Sequence, residues 1–349
     1  MHIDAEVLGV KGRKVFTRAV GRLDGPDGQI AISAAALFVQ VPLQHFIDHG
    51  TAEHIQRAIE DRANGGPAWR PAGEIDAVES VSHDLLPLLQ KKKDIALARG
   101  TYANQYSMRP NWLHPPFNNE KMRQALGYMI DQKEYLTAAV GESDYWRLCK
   151  AYYGCGTPLA SDVGTQGMLD GNLARARELV KESGYDGKPI VMLHQTDLQS
   201  SNQLPAVGKQ LLEKAGFKVD VVSSDWQTVV SRRARKEAPD KGGWNVFYTT
   251  TTNVDSDNPA ANSFSSGGCD KAWFGWPCDP EMEKLRAAFA RETDPAKQKE
   301  LALAASDRIM NQAQYVVLGQ YLAFGAYRKD RVDGWLPSPA AVWWNISKK

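Results

Sequence analysis

The stretch Gly184–Pro259 decides the fold, and it reads GYDGKPIVMLHQTDLQSSNQLPAVGKQLLEKAGFKVDVVSSDWQTVVSRRARKEAPDKGGWNVFYTTTTNVDSDNP. Three short apolar segments in it are typical of strands: Ile190–His194, Phe217–Val222 and Trp244–Thr250. Helical segments lie between them. Because strands that alternate with helices pair in parallel through right-handed crossovers, the stretch predicts an α/β fold.

Two helices and a polar loop complete this stretch. The first helix, Asn202–Ala215, has apolar residues on one face and stops at Gly216, and Asp225 can cap the second. After the third strand comes a loop rich in threonine, aspartate and asparagine, Thr249–Pro259. Ligands of such sheets bind outside the carboxyl ends of strands, so we expect the functional site at this loop.

Further helices are predicted by their start signals. An N-cap residue precedes an amphipathic segment at Asn119, Asn172, Asp279 and Asp294, and proline follows the last two caps. By contrast, Tyr315–Tyr327 is mostly apolar and β-prone, which predicts one strand. A last short strand is expected near Trp343–Ile346.

Residues 1–72 are hard to assign, and the later part, Asp61–Arg70 in particular, shows neither a helical nor a strand period. Ile30–Val41 is mostly apolar and predicts a buried helix that stops at Pro42. Three histidines nearby lie at near-helical spacing, but a glycine interrupts them and no cysteine is close. We therefore expect scattered surface histidines rather than a metal site at His45, His49 and His54.

The composition is that of an ordinary globular protein, with 43% apolar residues, 24% charged residues and a net charge of +1 over 349 residues. Binding to nucleic acid or to a membrane surface needs clustered Lys and Arg. The densest basic runs, Lys91–Lys93 and Arg232–Lys236, are expected to be solvated helix faces. No apolar run approaches the ~20 residues of a membrane-spanning helix, and Met1–Asp4 does not begin a signal peptide.

Four cysteines form two close pairs. Cys149 and Cys155 lie six residues apart, and Cys269 and Cys278 lie nine apart. Neither spacing is C-x-x-C, so zinc is the weaker interpretation and two local disulfides fit better. Stable disulfides imply an oxidising compartment. The aromatic loop Trp273–Pro277 inside the second pair either offers a contact surface or, as favoured, folds onto the protein itself.

An ordered series of landmarks resembles one family. The series comprises GEID at Gly73–Asp76, PFNNEKMRQAL at Pro116–Leu126, ARARELVKESGYDG at Ala174–Gly187, DWQT at Asp225–Thr228, GWNV at Gly243–Val246 and RKDRVDGW at Arg328–Trp335. The chain from about residue 73 onward is similar to the peptide/nickel-type substrate-binding proteins of ABC importers, solute-binding family 5. The resemblance implies a two-lobed α/β fold of the type II periplasmic-binding-protein kind and an exported, periplasmic protein.

Members of that family are usually longer, with a substantial first lobe before the GEID-like run. We therefore expect the first lobe to be incomplete here. The expected organisation is a poorly assignable segment at 1–72, part of the first lobe at 73–112, the second lobe at 113–325 and a return to the first lobe at 326–349.

The resemblance also implies a ligand site. Peptide-type members hold the free amino group of the ligand with an aspartate after the GW strand, and Asp255 takes that place. The alternative is that Asp255 or Asp257 only forms an Asx-turn before a proline. Neighbouring side chains expected to hydrogen-bond a peptide backbone are Thr251, Thr252 and Asn253.

Three further residues are candidates for the pocket. Trp226 and Trp244 are suited to wall it, since clefts favour aromatics, with core packing as an equal alternative. Arg109 can meet a ligand carboxylate with two hydrogen bonds. For Arg109 the favoured alternative is a surface arginine near a hinge.

The expected function is non-covalent capture of an oligopeptide, a dipeptide or a similar small solute by a monomer, for delivery to a membrane ABC permease. Two lobes would close about the ligand, without cofactor, metal or nucleic acid. A nickel chelate or other non-peptide solute is the alternative of the same class. An exported hydrolase and an inactive truncated remnant are the others. The chain lacks G-x-S-x-G and H-E-x-x-H motifs, so we expect no enzyme.

Overall fold

The structure is a computed structural model. It describes the backbone of three strands near the start of the chain, together with residues 75–102, 104–336 and 345–349. The chain separates into two compact units, Met1–Glu74 and Ile75–Lys349.

The first unit contains a three-stranded antiparallel sheet. Its strands are β1 (His2–Lys11), β2 (Lys14–Arg22) and β3 (Ile30–Phe38), and β2 lies between the other two. β3 shows that the helix predicted for Ile30–Val41 is wrong over the described residues. A short apolar run does not distinguish a buried helix from a strand, and here pairing with β2 satisfies the backbone. His45, His49 and His54 lie outside the described residues.

The second unit holds the remaining described elements. Its strands are β4 (Ala77–Val78), β5 (Ile95–Arg99), β6 (Asn104–Pro110), β7 (Trp146–Arg147), β8 (Ile190–Gln195), β9 (Val219–Ser224), β10 (Val246–Thr252), β11 (Val316–Tyr321), β12 (Phe324–Arg328), β13 (Val332–Asp333) and β14 (Ser347–Lys348). Its α-helices are α1 (Leu86–Leu89), α2 (Glu120–Met129), α3 (Gln132–Ala139), α4 (Leu173–Glu182), α5 (Leu204–Ala215), α6 (Trp226–Arg233), α7 (Asn253–Ser256), α8 (Pro280–Arg291) and α9 (Pro295–Gln312).

A six-stranded sheet, which we call the large sheet, has the order β7-β11-β6-β10-β8-β9. β8 runs parallel to both β9 and β10, and α5 and α6 form the connections along the chain. The predicted parallel pairing is therefore confirmed for these three strands. On its other edge β10 pairs antiparallel with β6, so the large sheet is mixed.

The helix predicted from Asn202 begins instead at Leu204, and its N-cap residue, Gln203, makes no side-chain capping hydrogen bond. The other five predicted starts are each confirmed by a side chain that caps the helix. In every case the side-chain oxygen accepts a hydrogen bond from a backbone N–H of the first turn. The pairs are Asn119 with Met122, Asn172 with Arg175, Asp225 with Thr228, Asp279 with Met282 and Asp294 with Ala296. Because caps act within one turn, these starts follow from local sequence.

Side chains on both faces of the large sheet are buried. Along β10, Val246 and Tyr248 belong to one apolar cluster, which also holds Leu126 of α2, whereas Phe247 belongs to a second cluster with Trp244. This alternation follows from the two-residue period of a strand. Burying a side chain such as Phe247 contributes about 1.5–3 kcal/mol.

A three-stranded sheet, the small sheet, has the order β4-β12-β5. The single strand predicted for Tyr315–Tyr327 is wrong, because the segment forms β11 in the large sheet and β12 in the small one. Continuous apolar sequence does not reveal a change of sheet. Beside that change, the Gly100 N–H donates to the Ala323 carbonyl oxygen at 2.9 Å. The division into lobes at 112/113 and 325/326 stays a prediction.

Both predicted disulfides are confirmed: Cys149 is bonded to Cys155, and Cys269 to Cys278. Neither pair is therefore available as zinc ligands. The loop inside the second pair folds onto the protein, as favoured, since Trp276 is 5% exposed within the cluster of Trp244. The final strand is Ser347–Lys348, and Trp343 and Trp344 lie outside the described residues.

Candidate functional site

The carboxyl end of β10 presents Asp255. The strand ends at Thr252, and α7 begins directly after it. The Thr252 hydroxyl accepts the Asp255 backbone N–H at 3.3 Å and donates to the Asp255 carboxylate at 2.7 Å. The carboxylate is thus fixed on the first turn of α7, while the residue remains exposed. Further lone pairs of the carboxylate stay open to a donor.

The turn that follows does not depend on Asp255. Asn258 makes it, because its side-chain oxygen accepts the backbone N–H groups of Ala260 and Ala261 at 2.9 Å each. Asp257 accepts a hydrogen bond from the Asn258 amide. Asn258, rather than Asp255 or Asp257, therefore forms the Asx-turn. A ligand role of Asp255 stays a prediction.

A cavity of about 500 Å³ opens beside this carboxylate, and we call it the Asp255 cavity. Its lining includes Thr249–Thr251, Val254, Trp273 and Arg233. Val254 is 65% exposed at this place. The volume falls within the roughly 300–1,000 Å³ of small-ligand sites.

A second cavity, of about 430 Å³, lies where the small and large sheets approach each other. We call it the Asp197 cavity. Segments Glu79–His83 and Asp197–Ser200 line it, together with Thr250. Because Thr250 also lines the Asp255 cavity, the two are neighbours at the end of β10. The place expected from the sequence thus contains two adjoining cavities.

Asn253, the first residue of α7, attaches this helix to neighbouring segments through its side chain. Its side-chain oxygen accepts from Gln320 at 2.8 Å, and its amide donates to the Tyr102 carbonyl oxygen at 3.4 Å. Gly154 packs so closely that a Cβ there would lie 2.2 Å from the Asn253 oxygen. Asn253 therefore positions the helix, whereas Thr251 lines the Asp255 cavity.

Arg109 is placed in the interior. It is 0% exposed, and its guanidinium donates to the carbonyl oxygens of Phe264 at 2.7 Å and of Phe274 at 3.0 and 3.1 Å. Burial lowers the pKa of Arg109 to about 9. The favoured alternative, a surface arginine, is wrong. These bonds use three of the five guanidinium N–H donors in the interior, and the expected bidentate contact with a ligand carboxylate stays a prediction.

The two candidate tryptophans differ. Trp244 is 0% exposed, and its indole N–H donates to the Arg233 carbonyl oxygen at 3.0 Å, so it packs in the core. Trp226 is half-buried, and its backbone N–H donates to the Asp197 carboxylate at 2.7 Å. Trp226 therefore connects the start of α6 to the rim of the Asp197 cavity.

Sequence reasoning missed Arg233. The expectation that Arg232–Lys236 is a solvated face is wrong for its first two residues. Arg232 donates to the Gly243 carbonyl oxygen at 3.0 and 3.2 Å. The Arg233 guanidinium lies against four aromatic rings, as described below.

A sequence signal for Arg233 exists in the helix period. Trp226, Val229 and Arg233 stand at i, i+3 and i+7, which places them on one face of α6. Val229 is buried on that face, at 1% exposure. The helix period therefore indicates that Arg233 shares the face of α6 that packs against the protein.

One histidine–serine contact lies outside the cavities' lining. The His194 Nδ1 is 3.0 Å from the Ser223 hydroxyl, and its Nε2 is 3.1 Å from the Asn202 carbonyl oxygen. A hydrolytic triad instead places a carboxylate at the second nitrogen. In the part of the chain that the structure describes, no three His, Cys, Asp or Glu side chains are grouped as metal ligands. None of the described helices has the length and apolar character of a bilayer-spanning segment.

Comparison with known proteins identifies the family. The family model "Bacterial extracellular solute-binding proteins, family 5 Middle" matches residues 57–272. The chain is 32% identical over 278 residues to a probable peptide ABC transporter periplasmic-binding protein, y4tO, of Sinorhizobium fredii. The match covers 79% of this chain and 52% of that relative, so the chain spans about half the length of the relative.

Solved structures share the fold. A dipeptide binding protein from Pseudoalteromonas, in complex with Met-Leu, matches 96% of this chain and 62% of its own with a TM-score of 0.66 at 19% identity. The periplasmic binding protein DppA from Helicobacter pylori, in complex with the peptide STSA, matches 98% and 61% with a TM-score of 0.68 at 16% identity. The α/β fold expected from the sequence, that of the two-lobed periplasmic binding proteins, is confirmed. The chain belongs to the bacterial extracellular solute-binding proteins of family 5.

Proposed function

We propose that this protein captures short peptides, or similar small solutes, in the periplasm and presents them to a membrane ABC permease. Its family supports this, as do the name of its relative from Sinorhizobium fredii and the peptides bound in the two solved structures. Capture is non-covalent, and we infer that the protein is not an enzyme. The two disulfides suit an oxidising compartment.

The Asp255 carboxylate carries the proposal. It lines a cavity of about 500 Å³, and its hydrogen-bond donors are a hydroxyl and no cation among the described residues. A ligand ammonium would make a charge-assisted hydrogen bond with it. The Thr252 hydroxyl holds the carboxylate in place before the ligand arrives, which reduces the entropy lost on binding.

Isothermal titration calorimetry of the full chain with the dipeptide Ala-Ala tests this role. Asp255→Asn keeps the shape and the acceptor for Thr252 but removes the charge. We expect the affinity to fall about 10- to 100-fold, since a hydrogen bond between charged groups contributes about 1.5–3 kcal/mol. N-acetyl-Ala-Ala, which lacks the ammonium, should bind both proteins equally weakly.

Asp257→Asn is the matched control. Asp257 follows two residues later and contacts Asn258, but it does not line the Asp255 cavity. Its loss of charge should leave the affinity for Ala-Ala unchanged. Equal binding of Ala-Ala by wild type and Asp255→Asn would refute the assigned role, and absence of binding by the wild type would refute peptide capture by this chain.

A further inference from the structure

Arg233 is a half-buried cation without an anion. It occupies the last turn of α6, and its guanidinium carbon lies 4.8 Å from the ring centroid of Phe274 and 5.3 Å from those of Trp226 and Trp273. Phe247 is a fourth ring, at 5.8 Å. The Nε atom is buried without a hydrogen-bond partner, and burial lowers the pKa of the group. Aromatic faces attract a guanidinium but accept few of its five N–H donors.

Other arginines in the second unit show how this fold treats a buried guanidinium. Arg109 and Arg123 donate to backbone carbonyl oxygens, and Arg286 does the same. Arg308 donates to the buried Asp279 carboxylate. Among the described residues, Arg233 is the one arginine that is not exposed and yet has no hydrogen bond or ion pair from its guanidinium. The described part of the fold therefore provides no hydrogen-bond acceptor for the Arg233 guanidinium.

The Asp255 cavity supplies a place for that acceptor. Arg233 and Trp273 both line it, and so does Asp255. The rings lie against the guanidinium, and its two terminal nitrogens, which unlike Nε are not enclosed, can bind a carboxylate with two parallel hydrogen bonds. The cavity therefore presents one fixed anion and one fixed cation within about 500 Å³.

We infer that Arg233 binds a carboxylate of the ligand, so that the ligands are short peptides with an ammonium at Asp255 and a carboxylate at Arg233. This inference rests on the proposed function and narrows its substrate class. The carboxylate is either the carboxyl terminus of a dipeptide or an acidic side chain close to the amino terminus. Neutral, carboxylate-free solutes leave Arg233 unpaired and are poor ligands for that reason.

Three ligands distinguish the sources: Ala-Ala, Ala-Ala amide and Ala-Glu amide. Their affinities for the full chain and for Arg233→Gln are measured by titration calorimetry. If the terminus is the source, the substitution weakens Ala-Ala about 10- to 100-fold, and the amide binds both proteins alike. If the side chain is the source, the same loss appears with Ala-Glu amide. Arg233→Lys, which keeps the charge but loses the two-pronged geometry, should recover part of the affinity.

Arg235→Gln is the matched control, because Arg235 belongs to the same basic run but is exposed and lies outside the cavity lining. It should change no affinity. Near-ultraviolet circular dichroism verifies that each variant is folded. Equal binding of all three peptides by wild type and Arg233→Gln would overturn the inference while leaving peptide capture intact.

The converse result is also decisive. If the wild type binds none of the peptides, the proposed function fails, and tryptophan fluorescence is then followed during titration with glutamate. A carboxylate at Arg233 alters the surroundings of Trp226 and Trp273, so the emission should change in the wild type and not in Arg233→Gln. No change in the wild type would overturn the inference.

Discussion

Alkaline pH should unfold this protein abruptly, because its tyrosines are concentrated in the core. Seven of the twelve tyrosines are no more than 6% exposed: Tyr106, Tyr135, Tyr152, Tyr153, Tyr248, Tyr315 and Tyr321. Burial raises the pKa of each. Two of these hydroxyls donate to backbone carbonyl oxygens, that of Tyr106 to Ser200 at 2.7 Å and that of Tyr152 to Tyr315 at 3.1 Å.

The direction of the effect follows from linkage. Above about pH 10 the unfolded chain loses its phenolic protons, whereas the folded protein keeps those of the seven buried tyrosines. Their stabilisation is therefore complete below about pH 10 and is lost as pH rises. Each phenol removes about 1.4 kcal/mol of unfolding free energy per pH unit in that range.

Two buried arginines oppose this loss. Burial lowers the pKa of Arg109 to about 9 and that of Arg123 to about 10, so above these values the unfolded chain binds more protons at these two sites. As pH rises, the seven phenols lower the free energy of unfolding and the two guanidinium groups raise it. The net effect is a decrease of about 7 kcal/mol per pH unit. Against a typical stability of about 5–15 kcal/mol, unfolding is expected between about pH 11 and pH 12.

The assay follows tyrosinate absorbance and far-ultraviolet circular dichroism through the same pH titration. We expect the seven buried tyrosines to ionise together with the loss of secondary structure. Ionisation of these seven near the ordinary pKa of a phenol, with native circular dichroism throughout, would refute the reasoning.

Two substitutions test the local structure. Asp279→Asn keeps the N-cap of α8 but removes the charge that binds Arg308 at 2.6–2.8 Å; we expect a loss of about 2–3 kcal/mol in urea unfolding, since Arg308 is partly solvated. Gly154→Ala places a Cβ 2.2 Å from the Asn253 oxygen at a residue with φ of +81°, so it should displace α7 and lower the calorimetric affinity for Ala-Ala several-fold.

Matched substitutions isolate these causes. Asp294→Asn makes the same exchange at an exposed N-cap and should change stability by no more than about 0.5 kcal/mol. Gly141 has φ of +82°, and a Cβ added there would meet nothing within 4 Å, so Gly141→Ala should cost stability alone. If both glycine variants bind Ala-Ala like the wild type, α7 does not depend on its contact with Gly154.

Local signals predicted much of the second unit. The caps at Asn119, Asp225 and Asp279 act within a single helical turn, and each appears where the sequence placed it. The parallel pairing around β8 followed from the alternation of strand and helix. Such features depend on residues a few positions apart, which a sequence displays directly.

Features that depend on distant partners were not predictable in the same way. Ile30–Phe38 became a strand because β2 lies beside it, and nothing within the apolar run specifies that neighbour. The change of sheet at Leu322–Ala323 depends on β5 and β6, more than 200 residues earlier in the chain. Long-range packing decided these elements.

The candidate site shows the same limit. The loop containing Asp255 was identified by its place after β10, and a cavity lies beside it. Arg233 escaped because three of its four aromatic neighbours, Phe247, Trp273 and Phe274, lie outside α6. Arg109 sits among Phe264 and Trp273 for a similar reason, with its charge directed at carbonyl groups that the sequence does not bring near it.

The two crossings between the sheets of the second unit have a mechanical consequence. The chain leaves the small sheet after Arg99 and returns to it after Leu322, and the crossings lie side by side, joined by the bond from Gly100 to Ala323. We expect adjacent crossings to act as one pivot, which favours rotation of the two sheets about a single axis over independent sliding. Gly100 and Ala323 also line the Asp197 cavity, so a molecule bound there would contact the two crossings directly.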